Sequence, residues 1–185
     1  MHAKSQELIA LLVPEVRLKA LETFRLCETA GVPIRFYYTL RTAEMQAKLW
    51  RQGRPAVEIN AAIKRLRDQG KNELAELLKR PGPQTGPKVT NALPGESYHQ
   101  IGRAWDAGPY DATIPDFLWD VKTHHEKWDV YREAVEMSGM TSGASWNDWP
   151  HAEWRIAGAS NPTTALGFAA VWDLMKNMGT LETLV

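Results

Sequence analysis

The sequence has one cysteine, Cys27, among 185 residues. An internal disulfide is therefore impossible, and residue usage gives no sign of an oxidising compartment. Long apolar runs are also missing. No stretch approaches the ~20 residues that a membrane span needs, so stable membrane insertion is not expected. Met1 to Glu15 carries no extended apolar run behind a basic start and does not read as a secretory signal. The expectation is synthesis in a cytoplasm, with release by other means if the target lies outside. An excess of one charge sign is absent as well: Lys+Arg and Asp+Glu both number 22. No broadly basic surface follows, and no nucleic-acid partner is expected.

What is present suits one compact domain. Hydrophobic residues make up 44% and charged residues 24%, enough to bury a core without a disulfide or a structural metal. A metal in such a chain serves chemistry rather than folding. Cys27 falls in a helical pattern with Ala20, Leu21 and Phe24, where it reads as a small buried residue.

Helical spacing runs from Ser5 to Ala30, with Pro14 placed to start a second helix and Gly31 to stop it. Pro33 to Leu40 is short, aromatic and β-branched, and predicts a strand. Thr42 predicts the cap of a helix reaching Trp50, which sets Arg41 at a strand-to-helix corner. Val57 to Lys79 predicts two helices divided near Gly70, followed by a Pro/Gly loop. Ala104 to Ala107 predicts a strand, Phe117 to Met137 a helix, and Thr163 to Leu184 a terminal helix. Helices around a few separated strands imply an α+β domain with a small antiparallel sheet.

Two stretches carry chemistry. The first is Ser97-Tyr98-His99-Gln100-Ile101-Gly102-Arg103-Ala104-Trp105-Asp106; the second is Asp148-Trp149-Pro150-His151. They offer two imidazoles and a carboxylate to a metal ion, with a spare carboxylate three residues before the last histidine. A catalytic zinc site wants three protein ligands and one place for water, and imidazole with carboxylate suits that ion. A nearby carboxylate must then move the water's proton, and Asp148 stands close in sequence to do so. The bland alternative is an ordinary histidine and a strand-end aspartate.

The pattern Ser97-x-His99-x-x-Gly102-x-Ala104-x-Asp106 with Asp148-x-x-His151 resembles the family of D-alanyl-D-alanine carboxypeptidases, D-Ala-D-Ala dipeptidases and L-alanyl-D-glutamate endopeptidases, especially phage endolysins of the last type. Tyr38 to Thr42 with Gln46 and Leu49, and Gly86 to Ala92, resemble that family too. The resemblance implies a Hedgehog/D-Ala-D-Ala peptidase-like fold, with His99, Asp106 and His151 as Zn2+ ligands and Asp148 as general base. It implies that Arg41 stabilises an oxyanion or binds a substrate carboxylate, and that Ser97 and Gln46 contact substrate or support the site. Many relatives have glutamate where this chain has Asp148. The implied partner is a peptidoglycan stem peptide, the implied setting phage lysis by a monomer acting on the wall after release, and the implied bond L-Ala–D-Glu. A D,D-carboxypeptidase and a non-catalytic wall-binding or phage-tail module are the rival readings. Residues 1–160 are expected to form the peptidase domain, with 55–80 as a helical insertion, either a solvated hairpin or a wall of the substrate groove. Residues 161–185 are expected to add a C-terminal helix packed on or trailing it.

Other residues compete for attention. Adjacent His124 and His125 on a helix point about 100° apart, which disfavours a shared ion. His2 is terminal. Trp146, Trp149 and Trp154 flank the second motif and read equally as groove lining or as core. Asp111 and Asp116 read either as solvated carboxylates or as ligands of a second cation.

Overall fold

The computed structural model describes residues 1–181; the expected end of the terminal helix at Leu184 lies outside them. In chain order the first elements are α1 (Ala3–Ala10), α2 (Pro14–Thr29), β1 (Ile34–Tyr38), α3 (Ala43–Arg51), α4 (Ala56–Asp68) and α5 (Asn72–Lys79). After them come a 3-10 turn (Tyr98–Ile101), β2 (Ala104–Asp111), β3 (Asp116–Phe117) and α6 (His125–Met137). The chain continues with β4 (Thr141–Ser142), a second 3-10 turn (Gly143–Trp146), β5 (His151–Glu153), α7 (Pro162–Leu166) and α8 (Phe168–Asn177). The result is the α+β class with a small antiparallel sheet. Two compact units emerge among the described residues, each discontinuous in sequence: residues 1–40 with 101–158, and 41–100 with 159–181.

The first unit holds the whole sheet. Its strand order is β1-β2-β5-β4, with β3 on the far end of β2, and every pairing is antiparallel. Pro14 starts α2 where its missing N–H costs nothing. Gly31 (φ 73°) ends the helix in a left-handed turn, and Val32 N–H donates back to the Cys27 carbonyl at 2.9 Å. Val16, Ala20 and Cys27 of α2 pack with Trp128, Tyr131 and Val135 of α6 against Ile34, Phe36, Trp105 and Ala107 of the sheet. That continuous apolar cluster is the core that fixes strand register, because a slip of one residue would turn its inward side chains to solvent. Burial pushes the Cys27 thiol up to about 12, as expected for an inert core cysteine.

The helix expected from Phe117 begins only at His125. Phe117 instead pairs with Tyr110, and Leu118 N–H donates to the Pro109 carbonyl at 3.0 Å. The Asp120 carboxylate then accepts from Lys122 N–H and Thr123 Oγ1, closing a turn. The backbone before α6 found a sheet edge, which apolar spacing alone does not reveal. The expected strand at Ala104 to Ala107 extends to Asp111, since it pairs with β1 and β3 beyond that point.

The second unit is helical. Thr42 caps α3 by accepting from Met45 N–H at 3.1 Å. The segment expected as a helical insertion forms α4 and α5, and Ile59, Ile63, Leu66, Leu74 and Leu78 bury against Ala47 and Trp50 of α3. This hairpin is thus half of a real core rather than a fully solvated arm. The terminal helix is broken at Gly167 (φ 80°), giving α7 and α8.

Candidate metal centre

Asp106 of β2 and His151 of β5 are 45 residues apart in the chain, and strand register makes them directly opposed. Opposed residues share a sheet face, and His151 Nδ1 lies 3.1 Å from Asp106 Oδ1. The start of β5 is pinned from below. The Pro150 carbonyl accepts from Ala107 N–H at 3.1 Å and from the Tyr131 hydroxyl at 2.8 Å. That hydroxyl in turn accepts from Trp105 Nε1–H at 3.1 Å, all within the core. The loop before β5 is closed by Asp148 N–H to the Gly143 carbonyl (3.0 Å) and His151 N–H to the Asp148 carbonyl (3.1 Å). Only glycine fits at 143: a β-carbon there would collide with the Asp148 carbonyl oxygen and stand 2.9 Å from the β-carbon of His151.

His99 sits on the 3-10 turn that runs into β2 and is 2% exposed. Local bonds brace this turn: Gln100 N–H donates to the Ser97 carbonyl at 3.1 Å, and Gly95 N–H to Gln100 Oε1 at 2.7 Å. One ligand atom each from His99, Asp106 and His151 lies within 4.8 Å of the others. Tetrahedral zinc with bonds of ~2.0–2.2 Å separates its ligand atoms by roughly 3.3–3.6 Å, so the three atoms draw together by up to about 1.5 Å to close on an ion. Two imidazoles and a carboxylate form a three-ligand set of the kind that leaves a fourth place for water. Among the described residues this is the one cluster of three or more such side chains.

The sequence reading missed Glu153. It lies two residues beyond His151, hence on the same strand face, and is 7% exposed. Its Oε2 is 3.1 Å from His151 Nε2, and its Oε1 accepts from Arg155 Nε at 2.7 Å. A carboxylate on the far nitrogen fixes the ring so that Nδ1 is the one presented towards Asp106. Burial alone would lower the His151 pKa. The hydrogen bonds to Asp106 and then Glu153 outweigh it and carry the pKa up to about 10. Burial alone would raise the Glu153 carboxyl, but the hydrogen bond from His151, reinforced by Arg155, brings it below its usual range. The alternation His-x-Glu on a recognised strand was the signal that could have revealed it.

The remaining expected site residues are placed as follows. Asp148 is an exposed residue in the loop that closes onto His151. Arg41 N–H donates to the His99 carbonyl at 3.2 Å, and its Nη1 donates to Gln46 Oε1 at 3.0 Å. Gln46 is fully buried and donates to the Ala92 carbonyl at 2.7 Å, so its amide serves to hold Arg41. Ser97 is buried at the head of the 3-10 turn. Of the three tryptophans, Trp149 and Trp154 pack against the core, while Trp146 is 43% exposed with its ring 6.1 Å from that of His151. His125 pairs with Asp129 at 2.7 Å on the surface. Asp111 accepts from Thr113, and Asp116 accepts from Phe117 N–H.

No family model matches the sequence, and no curated protein matches it. The fold is similar to two solved structures. One is a variant of the vancomycin-resistance D,D-pentapeptidase VanY from a VanB-type resistance cassette, in complex with Zn(II): 15% identity, TM-score 0.37, covering 89% of this chain and 78% of that one. The other is VanYB in complex with D-alanine-D-alanine: 15% identity, TM-score 0.37, covering 90% and 77%. A likeness of that degree does not decide the chemistry, which has to come from the side chains themselves.

Proposed function

We propose that this chain is a zinc-dependent peptidase of peptidoglycan stem peptides, cutting the L-Ala–D-Glu bond. The observation that carries the reading is the grouping of His99, Asp106 and His151 within 4.8 Å, built on a strand register that buries the pair from below. A zinc ion held there supplies Lewis acidity, which acidifies water and polarises a carbonyl. The chain's own residues do the rest in this proposal. Asp148 accepts the proton of the attacking water and returns it to the amine nitrogen as the C–N bond breaks. Arg41, kept in place by Gln46, faces the oxygen on which negative charge develops. Ser97 supports the turn that carries His99. The proposed setting is phage lysis of a host wall by a monomer that reaches the wall after release, supported by the motif resemblance to endolysins.

A second reading is a D,D-carboxypeptidase. It is favoured by Arg41, a guanidinium suited to a terminal carboxylate. Metal analysis of the purified protein and mass spectrometry of digested peptidoglycan test both readings. New N-terminal D-Glu supports the endopeptidase, and released D-Ala supports the carboxypeptidase. No zinc and no cleavage would leave a wall-binding module.

A further inference from the structure

The first unit carries an aromatic surface that the hydrolytic residues do not use. Leu118 is buried and held on both sides: its N–H donates to the Pro109 carbonyl at 3.0 Å, and its carbonyl accepts from Trp128 Nε1–H at 2.7 Å. Alternation along this short edge then turns Phe117 and Trp119 outward. Trp119 is 50% exposed, and Tyr37 is 36% exposed. The rings form one cluster, with centroids 4.7 Å apart for Phe117 and Trp119, 5.2 Å for Tyr37 and Phe117, and 5.4 Å for Tyr37 and Trp119. Tyr110 joins it beneath Phe117, with the Arg35 guanidinium 3.5 Å over its ring. Rigid aromatic faces anchored by backbone hydrogen bonds and left half in solvent are the mark of a binding surface rather than of unfinished core.

One end of the surface, Tyr37, lies on β1 next to the strand pair that carries Asp106. Tyr38 sits opposite Asp106 across β1 and β2, and Tyr37 is the bulged residue immediately before it. A cross-strand step of about 5 Å and one chain step of about 3.8 Å put the Tyr37 Cα within about 9 Å of that of Asp106. Two extended residues span about 7 Å. That is the reach from the sugar, through its lactyl link, to the first peptide bond of a stem.

We infer that the Tyr37–Phe117–Trp119 surface is a glycan platform, stacking an N-acetylated hexosamine of the peptidoglycan strand beside the hydrolytic site. This rests on the stem-peptidase reading and deepens it, since an enzyme cutting the first stem bond meets the sugar with the same substrate. The apolar face of a pyranose suits an indole, and Trp119 is the ring with most of its surface open.

The test uses the zinc-loaded protein and two probes. In the first arm, chitotetraose is titrated while the Trp119 indole N–H is followed by NMR. A saturable shift at Trp119 is expected, together with binding by calorimetry that is lost in Trp119→Ala; no shift, or calorimetric binding undiminished in the variant, overturns the platform. In the second arm, KM is compared for a glycan-linked stem and for the same stem freed of sugar. The wild type should favour the linked form by between about two- and twelvefold, the worth of one aromatic stack. Trp119→Ala should lose that preference, and Trp119→Tyr should recover part of it. Equal KM for both substrates in the wild type overturns the inference while hydrolysis persists. Chitotetraose binding without hydrolysis of either substrate would sink the peptidase reading and leave the platform standing.

Discussion

Metal-free protein should hold a proton on His151 well above neutral pH, and zinc must displace it. The ring lies between Asp106 and Glu153, each 3.1 Å from one nitrogen. Those two carboxylates stabilise the imidazolium more than burial destabilises it, and the pKa stands at about 10. At pH 7 the proton is bound with about three pH units to spare. Removing it costs about 4 kcal/mol, at 1.36 kcal/mol per unit, so the apparent zinc affinity at pH 7 falls about a thousandfold below its high-pH limit. The folded-state pKa is raised above the unfolded value of about 6.5. The stabilisation is therefore complete below about pH 6.5 and is lost as pH rises through about 10. Metal-free protein should lose melting temperature across that window. Long-range proton–nitrogen NMR of the metal-free chain at pH 8 gives the direct assay: His151 should show both ring nitrogens protonated. A neutral His151 ring at pH 8 would refute the argument.

Three further outcomes follow from the same geometry. Glu153→Ala removes the carboxylate that fixes the His151 ring and should weaken zinc binding by about 10–100-fold, measured by competition with a chromogenic chelator; unchanged affinity would deny Glu153 its orienting role. Asp148→Ala should abolish stem hydrolysis while zinc content stays at one ion per chain, and full activity in that variant would remove Asp148 as the proton acceptor. Gly143→Ala forces a β-carbon against the Asp148 carbonyl and His151 and should destabilise the fold by about 1–3 kcal/mol. Urea denaturation reads that loss, and an unshifted midpoint would mean that the loop gives way freely.

Much of the architecture follows from local rules. Pro14, Gly31 and Thr42 mark helix boundaries through steric and hydrogen-bonding preferences that act within a few residues, and the structure observes them. The same local rules misplace 117–124. Apolar spacing there fits a helix as well as it fits a short edge strand, and only the open edge of β2 made the strand preferable. The same spacing fits one continuous terminal helix across Gly167, whose positive φ breaks it.

For the metal centre, the sequence by itself determined which side chains could ligate an ion: the donor chemistry of His99, Asp106 and His151 is written in residue types, and the motif pattern singled them out. Their meeting was decided only by tertiary structure. Register between β2 and β5 sets Asp106 against His151, and that register is chosen by a core drawn from α1, α2, α6 and the sheet. Glu153 shows the same division. Its carboxylate is plain in the sequence, but its burial beside Nε2 depends on pleat and packing. Residue type sets what a group can bind, whereas hydrophobic burial of distant segments sets which groups face each other.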